Sequence, residues 1–191
     1  MSQPRYPLEH YNTLSHINVI DSFRGSFADL PATVVYRPPT GQLIVSISGT
    51  SKLKHILQDL RVLRTPHPSG RGSVHTGFWE LYQGLKTQLL TAIRKGIVDH
   101  SPGELVLTAH SMGGCLCYLL CIDLLRNNGC LPRHLPLQVA VFGCPRTGDS
   151  DLVTYFHELV SSFREREGED YFREYSVKGY NDGEPHRLTS G

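Results

Sequence analysis

Apolar and polar positions alternate along the chain in blocks that read as strands and helices. Ala32 to Tyr36 and Gln42 to Ser48 are β-favouring runs on either side of Arg37-Pro38-Pro39-Thr40-Gly41. A proline- and glycine-rich turn between two such runs predicts a hairpin. Phe78 to Val98 carries Leu81, Tyr82, Leu85, Leu89, Ile93 and Ile97. That spacing predicts a long amphipathic helix. Leu105-Val106-Leu107 reads as a buried strand, Cys115 to Asn127 as a helix and Leu137 to Phe142 as a second buried strand. Asp149 to Glu165 has a helical pattern, with Asp149, Ser150 or Asp151 available as its N-cap. Tyr175 to Val177 reads as a last strand, followed by the polar turn Asn181-Asp182-Gly183-Glu184-Pro185.

The remaining stretches are less regular. Leu14, Ile17, Ile20 and Phe23 recur at roughly helical spacing, which predicts a helix within Tyr11 to Phe27. Thr65 to Ser73 is rich in proline and glycine and reads as a loop. Glu165 to Arg173 mixes charges of both signs and reads as a solvated face. Lys52 to Leu63 has apolar residues at 53, 56, 57, 60 and 63, with Lys52, Lys54, Gln58 and Arg61 on the other side. It reads as an amphipathic helix that is either a surface helix or a lid over a site. Strands that alternate with helices predict an α/β protein, with a mostly parallel central sheet and helices on both faces. The division expected is a tail and helix over residues 1–31, then one domain over residues 32–191.

Composition narrows the function classes. A chain of 191 residues, 39% hydrophobic and 19% charged, is of ordinary globular composition and suits one domain. The net charge is +1, from 19 basic and 18 acidic residues, and gives no reason to expect nucleic acid as a partner. No apolar run reaches the length of a membrane-spanning helix. Met1-Ser2-Gln3-Pro4-Arg5 is not followed by the apolar segment of a secretory signal, so the expectation is a cytoplasmic protein. The five cysteines, Cys115, Cys117, Cys121, Cys130 and Cys144, lack the paired spacing of a metal site. They read as free thiols packed as small hydrophobes, and neither metal nor cofactor is expected.

The stretch that carries chemistry is Glu104-Leu-Val-Leu-Thr-Ala-His-Ser-Met-Gly-Gly114. A strand, a corner of small residues and a helix follow in that order, as a nucleophile elbow requires. Ala109 and Gly113 flank Ser111 two residues to each side, where a sharp turn leaves little room for side chains. The turn holds the Ser111 hydroxyl out at the sheet edge, beside the N-terminus of the next helix, which favours developing negative charge. A serine hydroxyl needs a base to take its proton, usually a histidine held by a carboxylate. On such folds the order is serine, then acid, then histidine. Asp182 lies in the turn after the second candidate strand beyond the elbow, and so is the candidate carboxylate. The candidate oxyanion donors are the N–H of Met112, directly after the serine, and Thr50, at the end of the Gln42 to Ser48 strand.

Four motifs then occur in order. These are Ser48-Gly49-Thr50, Val74-His75-Thr76-Gly77-Phe78 through Tyr82, Ala109-His110-Ser111-Met112-Gly113-Gly114, and Phe142-Gly143-Cys144-Pro145-Arg146-Thr147-Gly148. With Val177 to His186 they resemble the class 3, fungal-type triacylglycerol lipases, from about Ala32 to the C-terminus. The resemblance implies an α/β-hydrolase fold and a lipase or esterase acting on acyl-ester lipids. It implies Ser111 as nucleophile, Asp182 as carboxylate, Thr50 and Met112 at the oxyanion hole, and a lid at Lys52 to Leu60. A lid over residues 52–63 implies transient contact with a lipid interface.

The chain departs from the family at Ser48, where an arginine is more usual, and at the catalytic histidine, which the family places several tens of residues beyond the aspartate. His186 is the only histidine after Asp182 and matches a non-catalytic family position. His75 matches a family residue that reads as structural, and His110 should project away from Ser111. The expectation is a chain truncated before its base and lacking its last C-terminal elements. The other readings are a catalytically dead fragment of the fold, and an acyltransferase or thioesterase using the same acyl-enzyme chemistry.

Overall fold

The computed structural model describes residues 16–27, 29–49, 63–127 and 129–178. A six-stranded sheet runs in the order β1-β2-β3-β6-β7-β8. Its strands are β1 (Asn18–Arg24), β2 (Pro31–Arg37), β3 (Gln42–Ile47), β6 (Glu104–His110), β7 (Leu137–Phe142) and β8 (Phe172–Val177). β1, β2 and β3 form an antiparallel meander, whereas β3, β6, β7 and β8 are parallel. Three helices make the parallel crossovers: α1 (Thr76–His100), α2 (Met112–Arg126) and α3 (Ser150–Glu167). Between β3 and α1 lies a small antiparallel hairpin, β4 (Arg64–Pro66) with β5 (Ser73–His75).

Each crossover moves one strand along the sheet in the same direction. Right-handed connections of that kind put all three helices on one face. α2 accordingly packs against both α1 and α3. Side-chain burial follows. Leu43, Val45 and Ile47, then Leu105 and Leu107, then Leu137, Val139 and Val141 point at the helices and are at most 1% exposed. α2 is the centre of the core, with every residue from Met112 to Leu125 buried. The opposite face of the sheet is covered by no described element, and the helices expected there do not occur among the described residues. Phe142, Tyr175 and Val177 on that face are 45–51% exposed.

Two sequence expectations need correction. Residues 18–24 form an edge strand instead of a helix. A register shift between Val19 and Asp21 leaves Ile20 as an extra residue in the strand. A bulge of that kind brings residues three apart to the same side, so Ile20 and Phe23 both pack on the core and mimic helical spacing. The charged segment Glu165 to Arg173, at and beyond the end of α3, is also less solvated than its composition suggests. The Glu167 side chain is only 2% exposed and pairs with Arg133 and Arg166, while its second oxygen accepts the His134 N–H. Phe172, in the same segment, is buried.

Asp149 is the N-cap of α3 and accepts the Leu152 N–H at 3.0 Å, which settles the choice among the three candidates. The Thr65 to Ser73 stretch is the inner part of the β4–β5 hairpin, whose turn buries His67 against Trp79 and Tyr155. Between α1 and α2, the Asp123 carboxylate accepts the Tyr82 hydroxyl and lies 2.7 Å from Lys86 Nζ. A buried charge of this sort needs both partners. No described helix is long and apolar enough to cross a membrane.

Candidate active site

The parallel strands end level with one another. Ile47 pairs with Ala109, and His110 with Phe142, which in turn pairs with Val177. Ser111 follows β6 at once and directly precedes α2. Its backbone is held at φ 56°, ψ −130°, a region that L-residues rarely occupy. What over-determines this conformation is visible around it. The Ser111 N–H donates to the Phe142 carbonyl at 2.7 Å, and its own carbonyl accepts the Gly114 N–H at 2.9 Å. One bond ties the turn to the neighbouring strand, the other closes the first turn of the helix.

The turn also needs absent side chains. A Cβ at Gly113 would lie 2.5 Å from the Ile47 carbonyl oxygen and 3.1 Å from Ala109 Cβ. Ala109 occupies the matching position before the serine, is 7% exposed, and shows that one methyl fits there. A Cβ at Gly49 would meet the His110 carbonyl oxygen at 2.8 Å. The end of the β3 strand is therefore seated against the elbow, with Ser111 Cβ 3.5 Å from the same point. The sequence marks Gly49 as a strand end and as part of the Ser48-Gly49-Thr50 motif, but its close approach to the elbow comes from the tertiary fold.

Met112 is the first residue of α2 and is 1% exposed. The first N–H groups of a helix have no intrahelical partner, so Met112 brings a donor beside the serine. Thr50 and Asp182 lie outside the described residues, as do residues 52–62 of the lid expectation and His186. The chain nonetheless reaches the site just before each of those segments. Gly49 touches the elbow, and β8 ends at Val177, whose carbonyl accepts the Gly143 N–H at 2.7 Å.

Five of the seven described histidines have neighbours away from Ser111. His67 exchanges a hydrogen bond with Ser69, His75 packs on Phe78, and His100 stacks on Tyr36. His134 lies beside Glu167, and His157 packs on Phe156. Burial pushes the His67 and His75 imidazoles below their ordinary range, which favours the neutral ring. His110 is exposed and points, by strand alternation, to the face away from the helices.

A sheet of parallel strands with a strained serine between strand and helix defines the α/β-hydrolase class. Residues 44–177 match the lipase (class 3) family. The chain belongs to that family. A lipase of Rhizomucor miehei is 24% identical over 148 residues, which are 76% of this chain and 40% of that protein. Phospholipase A1-II 2 of Oryza sativa subsp. indica is 30% identical over 171 residues, 73% of this chain and 42% of that protein. A fungal lipase solved with an inhibitor superposes with a TM-score of 0.73 at 20% identity, covering 90% of this chain and 60% of that one. The chain thus spans about two fifths of the length of the curated relatives it matches.

Proposed function

We propose that this chain carries the nucleophile of a serine ester hydrolase acting on acyl-ester lipids. The observation that carries the reading is the Ser111 backbone, held in a costly conformation by Phe142, Gly113 and Gly49. Strain of this kind persists only where the surroundings enforce it, and is common at catalytic residues. In the proposed reaction Ser111 Oγ attacks the acyl carbonyl carbon while a histidine takes its proton. The oxyanion accepts hydrogen bonds from the Met112 N–H and from Thr50. The intermediate collapses, the alcohol leaves with the proton, and water then hydrolyses the acyl-serine. Asp182 is the proposed carboxylate behind the histidine. The base is proposed to lie among residues outside those described, since His67, His75, His100, His134 and His157 pack against other groups and His110 points to the face away from the helices. Lys52 to Leu63 is the proposed lid, with its apolar face toward the acyl chain.

The test is covalent labelling by a fluorophosphonate together with hydrolysis of a p-nitrophenyl ester. With the histidine base present, the protein should label at Ser111 alone, and Ser111→Ala should abolish both signals. Unchanged labelling of Ser111→Ala would sink the nucleophile assignment. If the histidine is absent from the protein tested, hydrolysis should fall by about 10⁴- to 10⁶-fold below that of a longer form that includes it. Loss of activity in His186→Ala would instead make His186 the base. Leu57→Asp should reduce activity on an emulsified ester more than on a soluble short ester. Equal reductions would return residues 52–63 to the plain surface-helix reading.

A further inference from the structure

Two of the five thiols meet beneath the elbow. Cys115 lies in the first turn of α2, four residues after Ser111, and Cys144 lies two residues after Phe142, whose carbonyl holds the Ser111 N–H. Their sulfurs are 3.8 Å apart. Both thiols also approach the Pro145 carbonyl, at 3.5 Å from Cys115 and 3.3 Å from Cys144. The approach depends on Gly114, where a Cβ would stand 2.8 Å from both Cβ and Sγ of Cys144. Thr147 closes the cluster. It is 1% exposed, and its hydroxyl has no hydrogen-bond partner among the described residues. Cys117 and Cys121 are buried on the same helix, but among the described residues neither sulfur is paired with another in this way.

We propose that Cys115 and Cys144 are a redox pair, at which a peroxide forms a disulfide that joins the nucleophile helix to the β7 loop. The sulfurs need to close from 3.8 Å to about 2.05 Å, a movement of roughly 1.8 Å that the 143–145 loop and a rotation of the Cys144 side chain supply. Cys144, at 5% exposed against 0% for Cys115, is the first to react. Its sulfur attacks one oxygen of hydrogen peroxide, the O–O bond breaks, and a sulfenic acid and water form. Cys115 sulfur then displaces the hydroxyl from the sulfenic sulfur, which leaves with the Cys115 proton as a second water. Two thiols are oxidised and one peroxide is reduced, two water molecules being the by-product. Burial pushes the Cys115 thiol well above its ordinary range, so the second step is slow at neutral pH and quickens as pH rises.

The test reads the bridge directly and does not depend on the proposed catalysis. The reduced full chain is treated with hydrogen peroxide under native conditions, remaining thiols are alkylated, and linked peptides are sequenced by mass spectrometry. A parallel sample is oxidised in denaturant, where pairing follows chain proximity instead of the fold. The expected result is a Cys115–Cys144 link at least tenfold enriched over every other pair in the native sample and lost from that excess in the denatured one. Cys144→Ser should show no native link to Cys115, with the far-UV circular dichroism of wild type. The proposal is overturned if Cys144 stays alkylatable, ends as a sulfonic acid, or links mainly to Cys117, Cys121 or Cys130.

Discussion

At the residue scale, Ser111 sets a conflict between stability and chemistry. Its φ of 56° is easy for glycine and costly for any residue with a Cβ. Ser111→Gly should therefore be more stable than Ser111→Ala by about 1 kcal/mol, the relief of strain exceeding the entropy that glycine adds to the unfolded chain. Urea denaturation of the two variants decides this, since neither retains a nucleophile. If alanine is the more stable, the turn is not strained. Gly113→Ala should act in the other direction. Its methyl has backbone oxygen 2.5 Å away, which cannot rotate aside, and a loss of about 1–3 kcal/mol is expected. The serine itself was legible in the sequence, because small residues flank it and a strand and a helix adjoin it. The contacts that enforce its conformation were not legible, because Ile47, Gly49 and Phe142 come from strands far away in the chain. The Cys115–Cys144 contact was hidden for the same reason, the two residues being 29 positions apart.

At the element scale, the helices and parallel strands were legible from their period, and the errors have identifiable causes. β1 carries a bulge, which converts an alternating pattern into an apparently helical one. The β4–β5 hairpin has strands of only three residues, too short to show any period. Glu167 looked solvated because charge pattern says nothing about burial behind two arginines. The α3 cap makes a pH prediction. Burial alone raises the Asp149 carboxyl, but the N–H groups of Leu152 and Ser73, the Ser73 hydroxyl and Arg64 outweigh it and hold it below its ordinary value. A folded value below the unfolded one means the cap's contribution is fully present above the unfolded value and is lost as pH falls through the folded one. Wild type should therefore lose this contribution below about pH 4, while Asp149→Asn, which keeps an acceptor, should not. Asp149→Ala should cost about 1 kcal/mol at neutral pH, read by thermal or urea unfolding. Between α1 and α2, Tyr82→Phe should cost about 1–3 kcal/mol, because it leaves a buried carboxylate with Lys86 alone. A loss near zero would mean that water replaces the hydroxyl.

At the scale of the whole molecule, the sheet has two unlike faces, and the same substitution should have unequal effects on them. The alternating pattern announced strands, but it did not say which face the helices would take. That follows from the crossover direction, which no local pattern encodes. Val141 points into the helix layer and is fully buried, whereas Val177, on the neighbouring strand β8 and on the other face, is 51% exposed. Valine to threonine keeps the branched shape and strand preference and changes a methyl into a hydroxyl. At Val141 that hydroxyl would enter an apolar layer without a partner, at a cost of about 1–3 kcal/mol. At Val177 it would meet solvent, and the expected change is within about 0.5 kcal/mol. The exposed face also places Phe142 beside Val177 in register. An apolar cluster of that kind should bind a fluorescent hydrophobic dye, and Phe142→Thr combined with Val177→Thr should at least halve the dye signal. Equal destabilisation by Val141→Thr and Val177→Thr, together with no dye signal in wild type, would mean that residues outside those described cover this face as fully as α1, α2 and α3 cover the other.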